Sequence, residues 1–145
     1  MSQHQGLTDE EVAREAALLE GVPFLNVGAL LLPPIWGPAH GQWWTILWYP
    51  LWLLADNLFY GAYAQPSVLS LVLAVICGLL LAGFTVVYAR LSQPFGLHRA
   101  LERKHVTKER YLEIERRWAV VSALVGAALL ALATYYNVAV RPTVG

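Results

Sequence analysis

The sequence predicts an all-α integral membrane protein with three transmembrane helices, an N-terminal amphipathic surface helix and a proline-broken re-entrant segment. Residues 22–89 hold one carboxylate and no Lys or Arg, and residues 118–140 hold no Asp, Glu, Lys or Arg. Of the 145 residues 57% are apolar and only 14% charged, against about 25% charged in soluble proteins. One small core has no room for such apolar stretches, so residues 1–145 are predicted to form a single membrane domain.

Residues 8–21 are predicted to form the surface helix. Thr8 and Glu11 have the spacing of a capping box, and Gly21 followed by Pro23 ends the helix. The segment is too short and too charged to cross a bilayer. We expect it to lie on the membrane surface or on the protein's own cytoplasmic face. Its apolar positions are Val12, Ala16 and Leu19.

Residues 24–41 are apolar but interrupted by Pro33-Pro34. Proline removes amide donors and blocks helix continuation, so the segment is predicted to enter the membrane and turn back, sheltered by later helices. The alternative is a full crossing by residues 24–46 with a severe kink. Asn26 needs hydrogen-bond partners in this apolar setting and is expected to tie the segment to the Pro33-Pro34 region.

Three spans follow, at residues 42–63 (with a bend at Pro50), 67–89 and 118–138. The last belongs to a longer helix that begins near Thr107, in which Glu113 and Arg117 pair at i,i+4. Residues 90–117 are predicted to be a basic loop with eight Lys/Arg, whereas residues 64–66 carry none. The positive-inside rule then places the loop and the N-terminus in the cytoplasm and the C-terminus outside.

Small residues recur at four-residue spacing in two of the spans. This pattern lets helix backbones approach closely in a bilayer. We expect packing within the chain, with a homodimer face as the alternative. A third group of residues forms an aromatic face that is left for lipid or another subunit. The two ladders are Ser70, Ala74, Gly78, Ala82 and Ala119, Ala123, Ala127, Ala131; the aromatic face is Trp44, Trp48, Trp52 and Phe59.

Asp56, followed by Asn57, is the intramembrane polar candidate. A carboxylate within a span is costly and is by default a functional hypothesis, here a proton relay or a cation site. The alternative is a structural role, in which Asp56 stays hydrated near the outer interface or bonds to Asn57 or to a neighbouring helix. This structural role is favoured, because a proton pathway normally needs more than one ionisable group.

His40 is the cofactor candidate. It lies among glycine and tryptophan residues, where an imidazole could ligate haem or a chlorophyll-type pigment. A second histidine at matching depth is missing from the chain, so His40 is expected instead to cap the re-entrant turn or to hydrogen-bond at the interface. The sequence indicates no catalytic residues, no metal cluster and no nucleic-acid interface.

One region resembles a known family. Asn26-x-x-Ala29, Pro33-Pro34-Ile35-Trp36-Gly37 and His40-Gly41, with a later Arg116-Arg117-Trp118, are similar to a family of small bacterial inner-membrane proteins with no assigned activity. Val27 and Leu30 stand where that family often has Trp and Phe. The resemblance implies a location in the bacterial cytoplasmic membrane and no particular chemistry.

These observations favour a non-catalytic accessory or assembly subunit of a larger membrane complex. Its partners would be other membrane subunits and lipid, with a homo-oligomer as a further possibility and no nucleic acid. The alternatives are a cofactor- or pigment-binding subunit that uses His40 and a small transporter or proton conduit that uses Asp56.

Overall fold

The computed structural model describes residues 8–144, and this part of the chain is helical without strands. The all-α prediction is therefore confirmed for these residues. The helices are α1 (Asp9–Leu19), α2 (Val27–Leu31), α3 (Pro33–Ala39), α4 (Trp48–Ala64), α5 (Val68–Arg103), α6 (Lys108–Tyr135) and α7 (Arg141–Val144). A 3-10 helix, Trp43–Leu47, precedes α4, and a π-helix, Tyr136–Val140, follows α6.

Two helices, rather than the three predicted, are long and apolar enough to cross a membrane: Val68–Arg103 and Lys108–Thr143. Within the apolar 18-residue stretch of each helix only 6% is buried, whereas the core helix of a soluble protein is mostly buried. The first predicted span, 42–63, is split into the 3-10 helix and the 17-residue α4. Pro50 explains the split, because its ring would collide with the Ile46 carbonyl in a continuous α-helix, whereas the first turn of α4 accepts it.

The basic segment 90–117 is not the predicted loop. Helix α5 runs through Pro94 to Arg103, and α6 starts at Lys108, so only four residues connect them. Helix α6 begins near Thr107 as predicted, and the Thr107 hydroxyl caps it by accepting from the Arg110 amide. The helices continue past the apolar spans because Leu97 and Ala100 pack against Tyr111 and stabilise both.

Helix α1 has the predicted capping box between Thr8 and Glu11. Gly21, with φ +75°, lies just beyond its end. Helix α1 contacts the protein's own long helices. His98 Nε2 lies 2.8 Å from Glu15 Oε1. The contacting apolar residues are Leu18, Leu19 and Val22, whereas Val12 and Ala16 of the predicted face are exposed.

Segment 24–41 folds into α2 and α3, separated at Leu32, with Pro33 and Pro34 opening α3. A single kinked helix over 24–46 is therefore not formed. Helix α2 contacts both α5 and α6. The segment is sheltered by the later helices, as broken backbone in an apolar environment requires.

The two small-residue ladders differ in their packing. In α5, Ala74 is buried and Gly78 lies against Phe59 of α4. In α6, Ala119 is half-buried but the ladder from Ala123 onward is exposed, which corrects the expectation that both ladders pack within the chain. In the α5 ladder, Ser70 is half-buried and Ala82 is exposed. The α6 ladder is exposed because α6 turns a different face inward, which carries Tyr111, Glu115 and Ser122.

The predicted aromatic face is divided in the same way. Trp48 is buried, contacts Tyr88 and donates its indole N–H to Thr85 Oγ1 at 3.1 Å. Trp52 packs against the group of buried residues that includes Trp48 and Tyr88. These two residues therefore face α5 rather than a partner, since the indole N–H finds its acceptor there. Trp44 and Phe59 remain exposed.

Candidate functional site

The structure brings polar side chains from α2, α3, α5 and α6 together at the end of the apolar spans. We call this group the Glu115 cluster. Its members are Asn26, Trp36, His40, Gln93, Tyr111 and Glu115, all of them buried.

Glu115 is the centre of the cluster and is 8% exposed. Its Oε2 accepts hydrogen bonds from Asn26 Nδ2 at 2.6 Å and from Trp36 Nε1 at 2.9 Å. Its Oε1 lies 2.9 Å from His40 Nε2. One carboxylate of α6 therefore binds three side chains of the broken segment, which fixes α2 and α3 against the long helices.

His40 has a protein oxygen next to each ring nitrogen. Its Nδ1 lies 2.8 Å from the Trp36 carbonyl oxygen, which only accepts, so Nδ1 carries a proton. Its Nε2 lies 2.9 Å from Glu115 Oε1. The imidazole is therefore held between α3 and α6.

Asn26 and Gln93 extend the cluster toward Tyr111. Asn26 Nδ2 also donates to Gln93 Oε1 at 3.2 Å, and its backbone N–H donates to the Ala89 carbonyl at 3.1 Å. The Tyr111 hydroxyl donates to Gln93 Oε1 at 3.1 Å. Gln93 Nε2 reaches the Pro23 carbonyl at 3.1 Å. Residues far apart in the chain thus satisfy one another's polar groups, as burial demands.

The local sequence positions these groups. Asn26 is the N-cap of α2, where its Oδ1 accepts from the Ala29 amide at 2.9 Å. Gly28 leaves room for the Trp36 indole, since a Cβ there would lie 2.6 Å from Trp36 Cδ1. Trp36 and His40, one helical turn apart on α3, stack with ring centroids 3.9 Å apart. The expected tie of Asn26 to the Pro33-Pro34 region is therefore corrected: its side chain bonds Ala29, Gln93 and Glu115 instead, because α2 docks against α5 and α6.

Tyr111 makes the stability of the cluster depend on pH. It precedes the predicted span 118–138, and burial, followed by the negative charge of Glu115, raises its pKa above the ordinary value of 10.0. The unfolded chain loses this proton first, so the contribution of Tyr111 is complete below pH 10 and falls as pH rises above it. We expect Tyr111→Phe to lower the free energy of unfolding by about 1 kcal/mol at neutral pH.

Denaturation profiles of wild type and Tyr111→Phe at pH 8 to 11 measure both effects. The difference between the two proteins should shrink above pH 10. Tyr49→Phe, at an exposed site on α4, is the control. A constant difference across the range would contradict the assignment.

His40 is arranged as a structural cap rather than as an open ligand. It is the C-cap of α3, and each ring nitrogen already faces a protein acceptor. A haem or pigment metal would have to displace Glu115 or the Trp36 carbonyl. The structure thus agrees with the expectation that His40 caps the turn.

A second polar group surrounds Asp56 at the other end of the spans. Asn137 Nδ2 donates to Asp56 Oδ1 at 2.6 Å, and Arg141 Nη1 lies 3.5 Å from Asp56 Oδ2. Arg141 Nη2 donates to Asn57 Oδ1 at 2.5 Å, and the guanidinium lies 4.0 Å above the Tyr60 ring. Asp56 and Asn57 therefore join α4 to the C-terminal helices, and the contact of Asp56 with a neighbouring helix is one of the arrangements considered from the sequence.

Sequence reasoning missed Glu115, Gln93 and Tyr111 as members of the site. The signal that could have identified Tyr111 and Glu115 lies in the helix predicted to begin near Thr107. Tyr111, Glu115 and Ser122 recur there at intervals of four and seven and so share one face. Arg141 was missed because it follows the apolar stretch and reaches back to Asp56.

No family model, no curated protein and no solved structure matches this chain. The resemblance through Asn26, Pro33-Pro34 and Trp36-Gly37 therefore stays a prediction.

Proposed function

We propose that the protein is a non-catalytic accessory or assembly subunit of a larger complex in the bacterial cytoplasmic membrane, acting by helix packing. The observation that carries this proposal is the exposed small-residue ladder of α6. Ala123, Ala127 and Ala131 are exposed in the part of the chain that the structure describes. Such a surface offers close backbone contact to another helix, which is how helices associate in lipid.

The 3-10 helix before α4 adds a second uncovered surface. Trp43 and Trp44 are 68% and 55% exposed, and Leu47 is 62% exposed. Exposed aromatic residues of this kind are enriched both at membrane interfaces and at protein contacts. The Glu115 cluster supports the same proposal, because it holds the broken segment rigidly and so fixes the position of these side chains.

The proposed topology has three crossings, with α4 as the third. Its 17 residues extend about 25 Å, at the lower limit for a hydrocarbon core of about 30 Å. The basic ends of α5 and α6 would be cytoplasmic and the C-terminus outside, in agreement with the positive-inside rule. Labelling of residues 65 and 105 from either side of the membrane checks this orientation.

Affinity purification of the tagged chain from its source membrane in mild detergent tests the function. We expect co-purification of a defined set of membrane proteins, and a loss of at least half of it in Ala127→Leu, which fills the ladder. Ala128→Leu is the matched control, since Ala128 is equally exposed on α6 but lies off the ladder. Equal effects of both variants would contradict the proposal.

A visible spectrum of the eluate separates the other possibilities. A chromophore that is lost in His40→Ala would favour the cofactor-binding alternative. A stable colourless monomer without partners would remove the main support for an accessory subunit. Self-association lost in Ala127→Leu would identify the ladder as a homo-oligomer face.

A further inference from the structure

A cavity of about 280 Å³ lies between segment 21–27 and the two long helices. It is about nine times the roughly 30 Å³ that one water occupies in the liquid, so it has room for more than a single small ion. Its walls include Pro23, Leu25, Asn26, Leu112, Arg116 and Ala119. The cavity opens beside the Glu115 cluster.

Arg116 is the exposed charge at this cavity, and it has no acceptor among the residues described, 8–144. The adjacent basic side chains differ from it. Arg110 and Arg117 both donate to Glu113, at 2.6 Å each. Arg116 is therefore the cation of this turn that is available to a ligand.

The neighbouring carboxylate is already engaged by protein donors. Glu115 also lines the cavity, but its oxygens lie 2.6 Å from Asn26 Nδ2, 2.9 Å from Trp36 Nε1 and 2.9 Å from His40 Nε2. Arg116 is therefore the charged group of the wall without a partner among residues 8–144. An anion is favoured there, because guanidinium forms charge-assisted hydrogen bonds with phosphate and carboxylate.

The rest of the wall combines polar residues of the Glu115 cluster, Asn26, Gln93 and Glu115, with apolar ones. Leu25, Leu112 and Ala119 are apolar residues that face the cavity, and Ala119 follows Trp118, where the predicted span begins. An occupant would therefore have an anionic group at the level of Arg116 and an apolar part directed along α6 toward the bilayer. This combination fits an amphiphile better than a free inorganic anion.

We infer that the cavity binds an anionic phospholipid of the cytoplasmic leaflet, with its phosphate on Arg116 and the first part of an acyl chain against Leu112 and Ala119. The inference rests on the membrane insertion in the proposed function but not on any partner subunit. Lipid at this site would bridge segment 21–27 and α6, and so would reinforce the contacts made by the Glu115 cluster.

The test measures lipid retained by the purified full-length chain after extraction from nanodiscs of equal phosphatidylglycerol and phosphatidylcholine. We expect phosphatidylglycerol to be enriched on the wild type. Arg116→Gln should reduce the enrichment about tenfold, the effect of losing one hydrogen bond between charged groups at a specific site. Arg117→Gln is the matched control, because it removes the same charge from the neighbouring position outside the cavity and should leave the enrichment unchanged.

Ala119→Phe, which fills the apolar wall, should also reduce the enrichment, and inorganic phosphate added during extraction should not displace the lipid. Equal losses in Arg116→Gln and Arg117→Gln would overturn the inference in favour of unspecific surface charge. Displacement by inorganic phosphate would overturn it in favour of a free anion. A chain that fails to insert into nanodiscs would contradict the membrane location itself, which separates that failure from a failure of the lipid site.

Discussion

Glu115→Ala is expected to lower the free energy of unfolding by about 3–5 kcal/mol, the loss typical when one partner of a buried ion pair is removed. The substitution leaves Asn26 Nδ2, Trp36 Nε1 and His40 Nε2 without the acceptor that all three share. Buried donors without acceptors account for most of the cost. Denaturant titration of the purified chain in mild detergent, followed by tryptophan fluorescence, measures it.

Two further variants sharpen this result. Glu115→Gln keeps one carbonyl oxygen and should cost less than Glu115→Ala. Glu109→Ala removes an exposed carboxylate from the same helix and should have a small effect. If Glu115→Ala unfolded at the same denaturant concentration as Glu109→Ala, the cluster would not hold the broken segment in place.

Gly37→Ala is expected to destabilise the protein by about 2–3 kcal/mol through overpacking. A Cβ at Gly37 would collide with Thr45 Oγ1 and would lie 2.7 Å from Thr45 Cγ2. Thr45 is fully buried and its hydroxyl donates to the Gln42 carbonyl at 2.8 Å, so it has no free space to move into. The contact between α3 and the 3-10 helix would therefore be pushed apart, which unfolding in mild detergent measures.

The control is Gly126→Ala in α6, where an added Cβ meets nothing within 4 Å. Relief of the glycine penalty in a helix should make that variant neutral or more stable by up to about 1 kcal/mol. Combining Gly37→Ala with Thr45→Ala should recover part of the loss, since the colliding atoms are removed. Equal stability of Gly37→Ala and Gly126→Ala would contradict the close approach.

Features that depend on neighbouring residues were predictable. The Thr8–Glu11 capping box, the break at Pro33-Pro34, the start of α6 near Thr107 and the Glu113–Arg117 pair all occur as expected. Each of them follows from a backbone or side-chain preference within one helical turn, which no distant contact has to supply.

The Glu115 cluster could be predicted only in part. Asn26 and His40 were identified, because polar residues in an apolar segment need partners. Their common partner, Glu115, lies 89 residues from Asn26 in the chain. A charged residue in a basic segment is expected to be solvated unless its face of the helix is covered. The role of Glu115 therefore depends on how α2 and α3 dock against α6.

The sequence by itself determined that this chain is helical and rich in apolar surface, because composition and charge distribution determine which segments are unfavourable to expose to water. It also determined where the N-terminal segments begin and end. The tertiary structure decided which faces pack: α5 buries part of its small-residue ladder, whereas α6 buries Tyr111, Glu115 and Ser122 and leaves its own ladder exposed. Both helices offer more than one face suited to packing, and only the docking of α2 and α4 selects among them.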